Sequence, residues 1–403
     1  MASKVADSFP RELLNKSNAE RLEYFRAYTI KHPLLVRAYE ELRCAVRDCN
    51  PGSIIFLQGP TGVGKTTLLK RLERHLKEIM LAELEKDPER IPVVTVQLDP
   101  PTSGNFDWKG YFRWLLIALG EPLVDDKVVA SDWPWKEPRF TKSIYSKSNL
   151  ELITSNQYWT RPMRFAAEQT LRRRRPLAVL LDDAQYFGII SSGRKLLDQL
   201  NIIKSLASKS LTTHVLGGTY ELIPLRNLNG QLSRRSIDIH FGRYHADNEA
   251  QRQEFINALY TFQQHLPLVK TPDSVSRWDY FYERSLGCIG VLKDWLTSSL
   301  ALALENSSHS LRSMFLEHRA LSITQCTTML SETTIGEREL EETEEARLQL
   351  REKLKLNAGL SKGRQEHSSP PTSEQARNVR PRQSARRIGT RKPVRDKIGV
   401  KTA

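Results

Sequence analysis

The fold is decided by residues 53–67, which read SIIFLQGPTGVGKTT. The first six of these form a short apolar run with the length of a buried strand, and the last ones begin a stretch with helical periodicity. Between them, residues 59–66 match GxxxxGK(S/T), whose glycines let backbone N–H groups turn inward around a phosphate. The sequence therefore predicts a strand, a phosphate-binding loop and a helix, in that order, as the start of an α/β fold.

The side chains of this loop have defined roles in phosphate binding. The Lys65 ammonium should reach the β- and γ-phosphates of a nucleotide, and the Thr66 hydroxyl should ligate Mg²⁺. The N-terminus of the following helix adds a favourable dipole for an anion. The predicted nucleotide-binding residues are Gly59, Pro60, Thr61, Gly62, Val63, Gly64, Lys65, Thr66 and Thr67.

A second apolar run ends in two carboxylates. Residues 178–185 read AVLLDDAQ, so a buried strand would deliver Asp182 and Asp183 to its carboxyl end. Open α/β sheets bind ligands at that end. Asp182 is predicted to hold Mg²⁺ through water, and Asp183 to orient or deprotonate an attacking water. The alternative is an ordinary strand end with a solvated acidic turn.

The rest of the chain completes a parallel sheet and then becomes helical. Strand candidates at residues 93–98, 177–181, 214–216 and 236–241 alternate with helical stretches, which predicts a mostly parallel five-stranded sheet covered on both faces. The predicted organisation is a helical segment at 1–50, an α/β core at 51–245 with an insertion near 99–160, an α-helical lid at 246–333, a charged helix at 334–360 and a disordered basic tail at 361–403.

Three polar positions take a meaning from this arrangement. Thr219 ends the run VLGG and would sit at a buried strand tip, where it could sense a γ-phosphate or be a simple turn threonine. Arg234 and Arg235 directly precede the last strand, where an oligomeric ATPase would present an arginine finger to its neighbour. Solvated surface arginines are the alternative.

This order of motifs resembles the AAA+ ATPases. More narrowly, LDDAQ at 181–185, GGTY at 217–220, QLSRR at 231–235 and GCIGVLKDWL at 287–296 resemble the TnsC/TniB family. These are AAA+ regulators of transposition, including those of CRISPR-associated transposons. The resemblance covers about residues 20–305 and leaves the last hundred residues outside.

The resemblance implies ATP with Mg²⁺, sensor 1 at Thr219, the finger at Arg234 or Arg235, and sensor 2 at Lys293. Lys293 stands where arginine is usual and Asp183 where glutamate is usual, so slow hydrolysis is expected. The implied assembly is a ring or helical filament of this chain on duplex DNA, which recruits transposase and a targeting factor of the TniQ type. An initiator or helicase loader, and a nucleotide-locked DNA-binding adaptor with little turnover, remain alternatives.

Charge and composition set further expectations. The net charge is +14, and residues 361–403 alone hold twelve Lys/Arg against three Asp/Glu, which suits a polyanionic partner or an acidic protein surface. The four cysteines form no CxxC pair, and no apolar run approaches 18 residues, so we expect a cytoplasmic protein without a membrane span. The basic run at 172–175 and the aromatic residues between 108 and 159 each allow a structural or a nucleic-acid-binding interpretation.

Overall fold

The computed structural model describes residues 8–101, 106–122, 124, 156–188, 194–227 and 236–356. Two compact units divide the chain, Met1–Glu341 and Glu342–Ala403. Within the described part of the second unit lies one helix, Glu344–Lys353. The predicted basic tail at 361–403 lies outside the described residues.

Five parallel strands form the sheet of the first unit. They are β1 (Ile54–Gln58), β2 (Val93–Gln97), β3 (Ala178–Asp182), β4 (Thr213–Gly218) and β5 (Ser236–His240), in the spatial order β2-β3-β4-β1-β5. Each begins and ends within two residues of its predicted position, which confirms the α/β fold. The parallel register brings all five carboxyl ends to one edge of the sheet.

The described α-helices belong to the first unit, except for the last one, α14. In chain order they are α1 (Asn18–Ala27), α2 (Pro33–Asp48), α3 (Lys65–Ile79), α4 (Leu81–Leu84), α5 (Trp108–Ala118), α6 (Asn156–Arg174), α7 (Arg194–Ser210), α8 (Ile223–Asn227), α9 (Glu249–His265), α10 (Trp278–Ser285), α11 (Ile289–Glu305), α12 (Ser313–Arg319), α13 (Ile323–Leu340) and α14 (Glu344–Lys353).

Burial on both faces explains the uninterrupted apolar strands. Every residue of β1, β3 and β4 is buried. Along β1, Ile54 and Phe56 enter the core on one face of the sheet, whereas Ile55 and Leu57 enter the core on the other. Successive side chains of a strand point to opposite faces, so a strand covered on both sides must be apolar throughout.

The lid has its own core, to which the N-terminal helix α1 contributes. Phe25 of α1 is fully buried with Phe262, Leu292 and Trp295 of the lid helices. Helix α2 instead packs on the sheet through Leu35 and Leu42. Residues 18–48 are therefore shared between the lid core and the sheet core, with a break after Ala27 that ends at Pro33, the first residue of α2.

The prediction of one charged helix over residues 334–360 is wrong within the described residues, which end at 356. The structure has two helices, α13 and α14, with a break between Leu340 and Glu344. Glu337 of α13 lies 3.1 Å from the Arg243 guanidinium and 3.6 Å from the His245 ring. Arg243 and His245 follow β5 in the chain. Sequence periodicity could not predict this ion pair, because the charge of Glu337 indicated a solvated side chain, whereas Glu337 is half-buried against Arg243.

Both ambiguous surface signals have a structural role where they are described. Trp108, Tyr111 and Phe112 pack with Phe106 and Phe187 in the core. Trp133, Trp135, Phe140 and Tyr145 lie outside the described residues. The four arginines of the basic run bind neighbouring groups of the protein, namely the carbonyls of Lys209 and Glu89 and the carboxylates of Glu121 and Asp87.

Two further features concern the described ranges, a membrane span and a metal site. Within them, no single helix is long and apolar enough to cross a bilayer, and the segments Val275–Ser285 and Ile289–Glu305 meet that test only as a pair bent by 110°. The same residues contain no cluster of three or more His, Cys, Asp or Glu side chains that could hold a metal ion.

The contact between α13 and the core gives a first prediction. A Cβ added at Gly336 would lie 2.1 Å from the Tyr220 ring, so Gly336→Ala must push α13 away from the turn after β4. We expect a loss of about 1–3 kcal/mol in the free energy of unfolding, as for other overpacked sites, although alanine favours helix. Urea unfolding measures this. Ser331→Ala on the exposed face of α13 is the control and should change stability by less than about 0.5 kcal/mol. Equal effects would contradict the packing.

The buried histidine of β4 gives a second prediction. His214 is fully buried, and burial lowers its pKa to about 4. As pH falls below 6.5, the unfolded chain takes up this proton before the folded chain does, so stability should fall by about 2 kcal/mol by pH 5 from this group alone. Thermal unfolding between pH 7 and pH 5 should therefore be less pH-dependent in His214→Val than in the wild type. His309→Val, at an exposed histidine, should keep the wild-type slope, and an unchanged slope in His214→Val would refute the assignment.

Candidate functional site

The loop between β1 and α3 has the backbone that phosphate binding requires. Gly62 and Gly64 have φ angles of 74° and 113°, in the left-handed region that glycine adopts without strain. Gly64 is the N-cap of α3, so the loop ends at the positive end of a fifteen-residue helix. Local sequence and tertiary structure agree on this loop.

Lys65 lies under the loop and binds it. Its ammonium donates to the carbonyl of Gly59 at 2.9 Å and to that of Pro60 at 2.8 Å. Burial lowers its pKa to about 8, and the carboxylates of Asp182 and Asp183 oppose that shift. A buried ammonium held by two neutral carbonyls can exchange them for anionic oxygens with a gain in electrostatic energy.

Asp182 and Thr66 face each other across the sheet edge. Asp182 at the end of β3 is 7% exposed, and burial raises its pKa. A hydrogen bond from the Thr66 side chain and the nearby charge of Lys65 act in the opposite direction. A buried carboxylate beside a hydroxyl offers two hard oxygen ligands, which is the donor set that Mg²⁺ uses at such sites.

Asp183 is held by two amide side chains. Gln97 Nε2 donates to its Oδ2 at 3.2 Å, and Gln185 Nε2 donates to its Oδ1 at 3.1 Å. The residue itself is left-handed, with φ of 56°, which directs its carboxylate away from the line of the strand. The acid that the sequence predicts to orient water is therefore fixed by residues on two other segments.

Thr219 brings a buried hydroxyl to the same edge. Its Oγ1 has no hydrogen-bond partner among the residues that the structure describes, and neither do the two amide atoms of Gln58 at the end of β1. Most buried polar groups are hydrogen-bonded, so isolated ones at a single sheet edge indicate a place where a polar ligand is bound. The backbone N–H of Thr219 donates to Gln185 Oε1 at 3.3 Å.

The lid reaches the loop through its first turn. Val291 N–H of α11 donates to the Gly62 carbonyl at 3.1 Å, and a Cβ on Gly290 would meet that oxygen at 2.3 Å. Gly290 is therefore the residue that lets the lid helix α11 approach the phosphate-binding loop.

Lys293, predicted as sensor 2, has its contacts elsewhere. Its ammonium donates to the Phe25 carbonyl and lies 3.6 Å from the centre of the Phe25 ring, with Phe262 at 5.3 Å. Burial lowers its pKa to about 7. This placement does not support the sensor role, because the N-terminal helix holds the side chain. Arg234 and Arg235, the predicted finger residues, lie outside the described residues.

Three glutamines lie at this edge and are not among the site residues predicted from the sequence. Gln58 ends β1, Gln97 ends β2 and Gln185 follows β3 by three residues. The signal was available, since each is an amide at or just after the carboxyl end of an apolar run. This signal is weak, because amide side chains carry no charge and these glutamines match no short motif.

The comparisons agree with this geometry at the level of the family. A family model described as an AAA domain matches residues 49–225, an interval that contains β1 to β4, the phosphate-binding loop, the acidic pair and Thr219. This match over residues 49–225 supports the AAA+ part of the resemblance and does not test the TnsC/TniB part. No curated protein matches the sequence.

Three solved structures are distantly similar. The ORC2 protein of Aeropyrum pernix, in ADPNP–ADP complexes, is 15% identical over 75% of this chain and 72% of that chain, with a TM-score of 0.42. Drosophila ORC bound to DNA is 13% identical over 79% and 67%, with a TM-score of 0.41. AMPPCP-bound DnaA from Aquifex aeolicus is 14% identical over 68% and 63%, with a TM-score of 0.34. At these identities and TM-scores, the similarities carry no argument about the function of this chain.

Proposed function

We propose that this protein is a Mg²⁺-dependent ATPase of the AAA+ type that works on duplex DNA as an assembly of several copies. The observation that carries the ATPase part is the convergence at one sheet edge of a phosphate-binding loop, two carboxylates and the unpartnered Thr219 hydroxyl. The AAA domain match over residues 49–225 supports it.

The residues present fit ATP and Mg²⁺. The left-handed glycines, the N-terminus of α3 and the Lys65 ammonium offer donors to phosphate oxygens, and Thr219 Oγ1 is a further buried donor. Thr66 and Asp182 would hold Mg²⁺. When bound, that ion neutralises charge that develops on the phosphate oxygens.

The chemistry falls to three side chains of this chain. Lys65 would leave the Gly59 and Pro60 carbonyls for the phosphates and stabilise their negative charge. Asp183 would accept a hydrogen bond from the attacking water and take its proton. Thr219 would donate to the terminal phosphate and fix it in line with that water.

Asp183 sets the expected rate. Its side chain is one methylene shorter than glutamate, and two glutamines occupy its oxygens at 3.1 and 3.2 Å. To act as a base it must exchange one of these amide donors for a water molecule. We therefore expect slow basal turnover, which would prolong the ATP-bound state.

The wider role follows from the resemblance. Assembly as a ring or filament on duplex DNA, recruitment of transposase and contact with a TniQ-type targeting factor are proposed because four segments between residues 181 and 296 resemble the TnsC/TniB family. The net charge of +14 suits a DNA partner. Co-purification of transposase with the DNA-bound protein tests this role, and its absence would favour another DNA-dependent AAA+ function.

Two substitutions separate binding from hydrolysis. Lys65→Ala should abolish ATP binding, since the ammonium is the cation that the loop supplies to the phosphates. Asp183→Asn should keep ATP binding within about twofold and lower phosphate release by about 10²-fold, the contribution of a general base. Equilibrium binding and phosphate release with duplex DNA measure both effects. Wild-type ATP affinity in Lys65→Ala would contradict the site, and full turnover in Asp183→Asn would assign the base elsewhere.

A finger supplied by a neighbour can be tested by mixing inactive proteins. A double variant, Arg234→Ala with Arg235→Ala, keeps its own loop and acids, whereas Lys65→Ala keeps its arginines. If Arg234 or Arg235 serves the adjacent subunit, some interfaces in the mixture combine an intact loop with an intact finger, and hydrolysis returns. Phosphate release across mixing ratios shows this. The absence of any recovery with both proteins folded and assembled would exclude the shared site.

A further inference from the structure

We infer that Gln185 is a positioning residue that couples the strand end at Thr219 to the carboxylate of Asp183. This inference rests on the proposed ATPase function and adds to it a side chain that neither the phosphate-binding loop nor the acidic pair includes. Its role is to transmit engagement of the terminal phosphate at Thr219 to the acid that orients water.

The geometry shows one side chain bridging two functional positions. Gln185 Nε2 donates to Asp183 Oδ1 at 3.1 Å, and Gln185 Oε1 accepts from the Thr219 N–H at 3.3 Å. Gln185 is 9% exposed, so these bonds lie out of bulk water, where they have more electrostatic weight. Both ends of one amide are therefore used, one by Asp183, which is proposed to act on the attacking water, and the other by Thr219, which is proposed to bind the terminal phosphate.

The surrounding backbone is built around this bridge. A Cβ added at Gly218 would lie 2.6 Å from Gln185 Oε1 and 3.0 Å from the Gln185 backbone nitrogen. Only a residue without a side chain at the end of β4 lets the amide lie this close. The 3₁₀ turn Ala184–Phe187 begins directly after Asp183 and fixes the start of the Gln185 side chain.

Gln97 offers an internal comparison. It comes from the end of β2 and donates to the other oxygen of the same carboxylate, Oδ2, at 3.2 Å. Among the described residues, no side-chain hydrogen bond links it to Thr219. Loss of Gln97 should therefore loosen Asp183 without affecting its communication with Thr219. Loss of Gln185 should do both.

The bridge predicts a specific change when the terminal phosphate binds. Donation from Thr219 Oγ1 to a phosphate oxygen would draw the end of β4 toward the nucleotide, and the Thr219 N–H would move relative to Gln185 Oε1. Because the same amide holds Asp183 Oδ1, the carboxylate would shift or be released at that moment. Asp183 would then meet the water only when the triphosphate is in place.

A double-mutant cycle on phosphate release tests the coupling. Gln185→Met keeps the side-chain volume and removes both hydrogen bonds, and Thr219→Val removes the hydroxyl and keeps the N–H. We expect Gln185→Met to lower kcat about tenfold or more with KM for ATP within about twofold, since the phosphate-binding loop is untouched. Combined with Thr219→Val, it should add little further loss, whereas Gln97→Met with Thr219→Val should multiply the two losses.

Two more variants guard against a merely structural effect. Gln185→Glu keeps an acceptor for the Thr219 N–H and replaces the donor to Asp183 by an oxygen, so it should lose kcat while the amide of Thr219 stays protected. Hydrogen exchange of the segment 213–222 reads out that protection, which Gln185→Met should lose. Gln169→Met, at an exposed glutamine of α6, should match the wild type in every assay.

The outcomes separate this inference from the proposed function. If the wild type binds no ATP, the proposed function fails and the inference fails with it. If Asp183→Asn hydrolyses ATP normally, the base lies elsewhere, and the inference fails although the ATPase function stands. If Asp183→Asn is slow but Gln185→Met is normal, or its loss multiplies with that of Thr219→Val, only the coupling is refuted. Non-additive losses at constant KM, with the expected exchange pattern, support it.

Discussion

The parallel register of β1, β3 and β4 is the constraint on which the rest of the structure depends. It sets Gln58 opposite Gly218, and Leu181 opposite Leu216, so the residues that follow these strands emerge side by side. A shift of β3 by one residue would turn Asp182 to the other face of the sheet and separate it from Thr66. Apolar packing on both faces holds this register, and the polar edge is its consequence.

That edge concentrates groups that are costly for folding. The Lys65 ammonium and the Asp182 carboxylate are largely buried, and burial moves the pKa of each toward its neutral form. Within the described chain, the Thr219 hydroxyl and the Gln58 amide have no partner to offset their removal from water. Such groups are destabilising in an ordinary core. Their presence together at one edge is explained if a polyanionic ligand with its cation completes the site.

The lid and the N-terminal helix extend the consequences of this edge. The Val291 N–H donates to the Gly62 carbonyl, so a movement of the phosphate-binding loop would act directly on α11. Lys293, two residues further along α11, donates a hydrogen bond to the Phe25 carbonyl of α1. The N-terminal helix is thus in contact with the lid helix that touches the loop, and a change at the nucleotide has a continuous path of packed groups to α1.

The sequence predicts those features that depend on neighbours along the chain. β1 and β3 are found within two residues because both coincide with apolar runs that are buried throughout, and the loop is found because its glycines and Lys65 lie within eight residues. The placement of Glu337, Lys293 and Gln185 could not be predicted in this way. Each has its partner more than thirty residues away, at Arg243, Phe25 and Thr219, and no periodicity encodes such a contact.

Long charged side chains were the least predictable group, since the same residue suits solvent, an ion pair or a ligand. The arginines at 172–175 bind carbonyls and carboxylates of the protein itself, whereas Glu337 was expected in solvent and is half-buried. A run of charged residues therefore predicts that these side chains need polar or charged partners, and only the tertiary structure shows which partners they have.

Electron cryomicroscopy of the protein with a non-hydrolysable ATP analogue, Mg²⁺ and duplex DNA tests the central claim most directly. The account predicts assemblies on DNA in which a triphosphate lies on the loop beside Lys65, with its terminal phosphate at Thr219 and an arginine of the neighbouring subunit across the interface. Density without nucleotide at the loop, or a triphosphate bound away from Asp182 and Thr219, would contradict it.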